Sequence, residues 1–448
     1  MNLKTPYFKR QVHIAPLAMF RIVFGAIMFL AMVRFIANGW VSSLYIQPSY
    51  FFKYQYFEWV KPLGYYGTYS LFVGIAISFL LIALGLFYRA ATIAAFLLFT
   101  YAELLDKTNY LNHYYLVSLM VFLLIFLPAH KGFSMDAMRK GKREKMSVPK
   151  WTIDTIKVQL AVVYIFAGLA KLNDDWLFNA MPLKIWLSAN TYIPIIGGLM
   201  DKPITAYIFS WGGALYDLGI VFLLINRKTR NLAFAFVIFF HITTWLLFPI
   251  GMFPFIMIGS SLIFFSADFH IRIFNFFSKQ KAGNEVMTNA LSIPIRSKIT
   301  LGILALYFLI QVALPFRYVL YPGKLFWTEL GYRFSWRVML MEKAGTAFFY
   351  VRDKATGREI EIDNRSYLTK NQEKMMSTQP DMIIDFAHHI QSDFEQKGMN
   401  NIAVHVESYV SLNGSGSRLF LDSTVNLLEI AQIQDNPNLI LAFEKNEN

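Results

Sequence analysis

A mainly α, polytopic membrane helical bundle with a C-terminal extracytoplasmic α+β domain is the architecture this sequence predicts, on three observations. Of its 448 residues 56% are hydrophobic and only 16% charged, with 43 Phe, which is too apolar for an ordinary water-soluble chain of this length. Apolar runs close to membrane-spanning length recur through roughly the first seventy percent of the chain. Beyond about residue 314 the pattern changes to short alternating and amphipathic segments separated by turn residues.

Taken in order, the apolar runs are Leu17–Ile36, Tyr69–Tyr88, Ala90–Leu105, Tyr114–Leu127, Ile153–Ala170, Ile204–Ile225, Leu232–Phe248, Gly251–Phe265 and Ile299–Leu314, an expectation of about nine helices. The first is bracketed by Arg21 and Arg34 and lacks a small-residue cleavage site, so it reads as a retained anchor. Basic residues collect in alternate connections: Lys4, Lys9 and Arg10; Lys131, Arg139, Lys140, Lys142, Arg143, Lys145 and Lys150; Arg227, Lys228 and Arg230; and Arg272, Lys279, Lys281, Arg296 and Lys298. With nine spans all four clusters fall on one side, which the positive-inside rule makes cytoplasmic. The N-terminus is then cytoplasmic and the C-terminal domain outside, periplasmic in a two-membrane bacterium. The net charge of +13 is accounted for by topogenic, lipid-facing loops without nucleic acid.

Residues 1–314 form the membrane domain and 315–448 the outer domain on this reading. In the latter, Ala347–Val351 and Glu359–Ile362 flank the turn Lys354-Ala355-Thr356-Gly357, and Ile402–Leu412 and Arg418–Leu421 flank Asn413-Gly414-Ser415-Gly416, two expected hairpins. Met382, Ile383, Phe386, Ile390 and Phe394 recur at helical spacing across Asp381–Gln396. The absence of Cys leaves this domain without disulfides.

Lys171 carries the sharpest functional signal, because it closes the apolar stretch Gln159–Ala170. An ammonium at the hydrocarbon edge needs a partner or water, and burial there favours the neutral amine, a usable base. A lysine snorkelling to the headgroups explains the same position. His241 lies mid-helix, where a hydrogen bond to a neighbour and a pocket role both stay open. Asp217 and Arg21 read as groups with structural partners inside the bundle, a helix-borne Arg being the expected partner for Asp217, and Asp106 with Lys107 as a local surface pair. Metal chemistry finds no support, since there is no thiolate and no His-Glu-x-x-His, and His388 and His389 are adjacent on one helix.

The stretches Asp106–His113, Tyr164–Trp176, Gly213–Leu218, Phe248–Phe253, Tyr332–Trp336 and Val410–Asn413 together resemble the vitamin K-dependent gamma-glutamyl carboxylase family, within the wider group of horizontally transferred transmembrane domain proteins. The resemblance implies a membrane enzyme that oxidises a reduced naphthoquinone, vitamin K or a menaquinone-like hydroquinone, to its epoxide. O2 and CO2 are co-substrates, and the oxidation is coupled to CO2 addition at the gamma carbon of glutamate in a protein or peptide partner. It implies Lys171 as the base for the hydroquinone and His113 in carbanion stabilisation, with Asn112 fixing polar groups beside it. His241, Met252 and Phe253 become the cofactor-lining candidates. His405 and Tyr409 stand where the family's glutamate-binding segment has tyrosine and tryptophan, and Ala170 where the animal enzyme has a second lysine.

The chemistry suits these residue types. A glutamate gamma C–H is far too weak an acid for an amine, so the lysine need only take a phenolic proton while the cofactor carries the harder step. Two other functional classes remain in view: a quinone epoxidase or oxidoreductase that does not carboxylate, and a transporter or lipid-binding protein, for which the expected internal repeats are not evident.

Overall fold

The computed structural model describes residues 6–139, 146–277 and 294–443. Among the described residues ten helices of nine residues or more build the membrane part: α1 (Ala15–Ala37), α2 (Gly64–Leu84), α3 (Tyr88–Leu104), α4 (Asn112–Phe126), α5 (Lys150–Ala170), α6 (Pro203–Ile225), α7 (Arg230–Leu247), α8 (Phe253–Ser261), α9 (Ala267–Phe277) and α10 (Ile295–Ala313). Each expected apolar run holds a helix, but the count of nine spans is not reached. Among the described residues six helices are long and apolar enough to cross a membrane, or seven if α8, its 3₁₀ extension and α9, bent by 111°, are one span. The physical reason is length: the 17 residues of α3 and 15 of α4 rise about 25 Å and 22 Å, short of a hydrocarbon core of about 30 Å.

Close backbone approach sets the packing. A Cβ on Gly25 would stand 2.6 Å from the Ala83 nitrogen, so α1 and α2 touch main chain to main chain there, and Phe20, Phe24 and Phe79 are buried around the contact. At one end of the bundle β1 (Gln11–His13) pairs antiparallel with β2 (Ser147–Pro149), and Asp136 accepts from the Phe87 and Tyr88 amides at 2.9 Å to cap α3. Arg21 is fully buried at this end, donating to the Phe133 carbonyl, so its partner is backbone rather than a bundle carboxylate.

The basic segments Lys131, Arg139, Arg227, Lys228, Arg230, Arg272, Arg296 and Lys298 belong to this same end, opposite the C-terminal domain. Lys4, Lys140, Lys142, Arg143, Lys145, Lys279 and Lys281 lie outside the described residues.

The C-terminal domain has β3 (Lys343–Asp353), β4 (Glu359–Ile362), β5 (Ile402–Leu412) and β6 (Arg418–Leu419) in one antiparallel sheet of order β4-β3-β5-β6. Both expected hairpins form, with β6 shorter than its apolar pattern. The long β3–β5 ladder, Lys343↔Leu412 through Asp353↔Ile402, makes the centre of the sheet. Two helices, α11 (Lys370–Met376) and α12 (Pro380–Gln396), complete the domain, and Met382, Ile383, Phe386 and Ile390 of α12 are fully buried.

Docking of this domain corrects the reading of Asp106 and Lys107. They do not form a local surface pair. Lys107 reaches Asp381 at 3.1 Å and Asp385 at 2.5 Å, Arg333 reaches Asp381 at 2.7 Å, and Asp106 accepts from Gln372 at 2.8 Å. Burial works against the Lys107 charge, but Asp381 and Asp385 outweigh it and raise its pKa. Burial likewise opposes the Asp381 carboxylate, and Arg333 and Lys107 overturn that and depress it.

Candidate active site

Lys171 caps the C-terminal end of α5, its amide donating to the Gly168 carbonyl at 3.0 Å. A Cβ on Gly168 would come within 2.7 Å of Leu218, so the missing side chain lets α5 and α6 close on each other and bring Lys171 against Asp217. The two side chains form an ion pair at 2.6 Å and are 8% and 7% exposed. The Lys171 ammonium also donates to the Ala167 carbonyl at 3.3 Å and lies 5.3 Å from the Trp176 ring centroid. Asp217 therefore has a partner inside the bundle, and it is Lys171 rather than an arginine.

The pair lines an apolar cavity of about 100 Å³ together with Trp176, Trp186, Phe240, Phe248, Phe253 and His241. His241 Nε2 is 3.0 Å from the Tyr164 hydroxyl, while Nδ1 is buried without a partner. One ring nitrogen of His241 is thus bonded and the other is without a partner, and the residue lines the cavity.

His113, in the first turn of α4, lines a second and larger cavity of about 370 Å³ together with Asn112 and Met252. Ile250, Phe253, Val338 and Met339 border both cavities. The Phe253 ring stands between them, 5.9 Å from the His113 ring and 6.0 Å from that of His241. The structure thus gathers Lys171, His113, Asn112, His241, Met252 and Phe253 at the end of the bundle beneath the outer domain. Asn112 has its amide group already engaged, accepting from the Tyr110 hydroxyl at 3.0 Å and donating to the Arg337 carbonyl at 3.1 Å.

Tyr332, Arg337, Val338 and Met339 line the larger cavity and the last two also the smaller, the segment being tied down by Tyr332 Oη donating to the Arg337 carbonyl at 3.0 Å and by the Phe334 amide donating to Tyr110 Oη at 2.7 Å. Phe334, Trp336 and Met339 take φ of 62°, 59° and 53°, a left-handed backbone that non-glycine residues adopt at a cost and that the packing here sustains. Arg337 and Met339 were not singled out from the sequence, although they directly follow the Tyr332–Trp336 motif.

His405 and Tyr409 do not join this group. They alternate with the buried Val404, Val406 and Val410 along β5 and so occupy the opposite, outer face of the sheet, where Tyr350 and Glu407 are their neighbours. His405 lies eight residues along the strand from Asn413, about 26 Å at strand spacing. Asn413 is the part of that segment that reaches the bundle, donating to Asp175 at 3.2 Å.

A polytopic helical membrane protein with an α+β domain over a lysine–aspartate pair is the class that fold and site define. The HTTM domain model matches residues 9–269, more than half of the chain, and the model of the vitamin K-dependent gamma-carboxylase lumenal domain matches residues 296–446. The chain belongs to the vitamin K-dependent gamma-carboxylase family. No solved structure matches it. The family carries with it a gamma-carboxylase-like function, a vitamin K cofactor, a glutamate-containing substrate and a membrane location with an extracytoplasmic domain.

Proposed function

We propose that the protein couples oxidation of a reduced naphthoquinone to its epoxide with CO2 addition to a peptide glutamate, with Lys171 as the base for the hydroquinone. The observation that carries this reading is the buried Lys171–Asp217 pair in an aromatic chamber adjoining the His113 cavity. The residues fit a reduced naphthoquinone. Trp176, Phe240 and Phe253 offer flat apolar walls, and His241, whose Nδ1 is without a partner, lines the same chamber. At about 100 Å³ the chamber is smaller than the usual ~300–1,000 Å³ of ligand sites, so a bound ring system draws on the neighbouring 370 Å³ across Phe253.

When bound with O2, the reduced naphthoquinone supplies the strong base that a glutamate gamma C–H demands. Lys171 has the simpler task of taking a phenolic proton. Asp217 accepts from Lys171 at 2.6 Å and so fixes where that side chain stands. Asp217 is thereby a positioning residue for Lys171. His113 stands in the adjoining cavity, where developing negative charge on the substrate would meet its ring, and Asn112 positions the Arg337 backbone beside it. The apolar walls and the outer domain shield the reacting groups from water.

The placement of His405 and Tyr409 on the far sheet face favours a second reading for the peptide half-reaction: epoxidation without carboxylation, if glutamate binding depended on those positions. Purified protein given reduced vitamin K or menaquinone, O2, labelled CO2 and Glu-rich peptides tests both. Epoxide together with carboxylated peptide supports the main reading, epoxide alone the second, and neither product from folded protein overturns both.

A further inference from the structure

Besides the two cavities of the site, a groove of about 480 Å³ lies where the outer ends of α5 and α10 meet. Part of its lining is apolar: Leu169 and Leu172 at the end of α5 and Phe316 just past α10 are exposed, and the Phe316 ring meets that of Phe166 edge to face at 5.4 Å. The rest is charged, with Asp174, Asp175, Lys324 and Arg337. Both α5 and α10 are long and apolar enough to span the membrane, so an apolar strip and a charged strip meet at their outer ends. That is the level at which lipid head groups give way to acyl chains.

The two cations and two carboxylates balance in number, yet only one pair closes. Asp175 accepts from Lys324 at 3.2 Å and from Asn413 at 3.2 Å. Arg337 and Asp174 form no ion pair among the described residues, with each other or with any other group. The Arg337 guanidinium lies over the Tyr318 ring, 4.4 Å from its centroid, and its Nε is buried without a partner. Tyr318 lines this groove, which places the guanidinium here, while the Arg337 carbonyl is the part that Asn112 and Tyr332 hold. Asp174 is exposed beside it in the same lining.

What remains is a guanidinium and a carboxylate that share one groove without reaching each other. A simple anion suits the first and is repelled by the second; a simple cation does the reverse. A zwitterion answers both. Phosphate is the anion that a stacked guanidinium binds best, and a primary ammonium donates hydrogen bonds to a carboxylate where a quaternary one has no N–H to give.

We propose that this groove binds phosphatidylethanolamine from the leaflet on the side of the C-terminal domain, with the phosphate on Arg337, the ammonium at Asp174 and acyl chain along Leu169 and Phe316. The assignment does not depend on the carboxylase reading, since none of the four charges belongs to the Lys171 chamber.

Native mass spectrometry of the detergent-purified full chain, titrated with lipids of identical acyl chains, tests the site. The first phosphatidylethanolamine should bind about tenfold more tightly than the first phosphatidylcholine or phosphatidylglycerol. Asp174→Asn should erase the preference over phosphatidylcholine while leaving phosphatidylglycerol bound at least as well as before. Arg337→Gln should weaken all three lipids, and Arg337→Lys should restore part of the loss. Asp174 is exposed, so its variant should fold and decide the matter even if Arg337→Gln does not. Equal wild-type affinity for phosphatidylethanolamine and phosphatidylcholine overturns the site, as does a preference that survives Asp174→Asn or binding unchanged in folded Arg337→Gln. Tighter binding of phosphatidylglycerol by the wild type makes the groove a plain anion site and overturns the zwitterion. Displacement of the lipid by an equal concentration of glycerophosphoethanolamine, which has the head group without the chains, makes the ligand a soluble phosphodiester and overturns the lipid.

Discussion

Replacing the Lys171–Asp217 pair one member at a time and then together separates its chemical role from its structural one. With Lys171→Met, Asp217 keeps a side chain only 7% exposed and loses the partner 2.6 Å away. Breaking a buried pair from one side costs about 3–5 kcal/mol, because the remaining group must stay charged without a partner or take up a proton. Asp217→Asn should cost less, since Lys171 retains the Ala167 carbonyl at 3.3 Å and the Trp176 ring. The double variant Lys171→Met/Asp217→Asn removes both charges at similar volume and should return to within about 1 kcal/mol of the wild type, a coupling of at least about 2 kcal/mol. Thermal unfolding in detergent reads the stability, as a loss of several degrees for Lys171→Met that the second substitution recovers. Epoxide formation from a reduced naphthoquinone, measured on the same preparations, should be lost in Lys171→Met and stay lost in the double variant. A double variant as unstable as the sum of the singles would refute the coupling, and wild-type epoxide formation by folded Lys171→Met would refute the base.

Three further outcomes follow from the same geometry. His113→Ala should suppress incorporation of labelled CO2 into a glutamyl peptide more than it suppresses epoxide formation, because His113 lines the larger cavity and Lys171 the smaller; equal retention of both activities would remove His113 from the site. His389 stacks on Tyr50 across the domain interface at 4.1 Å, and burial lowers its pKa against a smaller opposing effect of Asp393. Its contribution to docking is therefore complete above the ordinary histidine pKa of about 6.5 and is lost as pH falls through the lower folded value. Protection factors at Tyr50 and in α12, with the intrinsic pH dependence of exchange divided out, should fall from pH 7 to 5, and His389→Phe should flatten that dependence. Single cysteines at Lys131 and Ser366, labelled in intact cells by an impermeant reagent, should react at Ser366 and not at Lys131; the opposite pattern reverses the orientation drawn from the basic loops.

Much of the site was legible as position and little of it as partnership. Lys171 is conspicuous because a charge ends an apolar helix, and Phe253 and His113 because they sit in motifs, all of which are properties of a few neighbouring residues. That Lys171 meets Asp217, 46 positions away, depends on Gly168 letting two helices close at Leu218. Arg337 gained its place by the fold of the Tyr332–Met339 segment, and His405 lost the expected one because strand alternation turned it to the outer sheet face.

By itself the sequence determined the apolar bundle, the positions of its helices, the side on which basic loops gather, and the two hairpins with their amphipathic helix. Each of these follows from local hydrophobic period, turn chemistry or charge placement, which act over one or a few turns of chain. Only the tertiary structure decided the β3–β5 ladder, the Lys107–Asp381–Arg333 clamp and the two adjoining cavities. Those depend on which distant surfaces exclude solvent and hydrocarbon together, and a buried charge takes whichever partner that packing brings within reach.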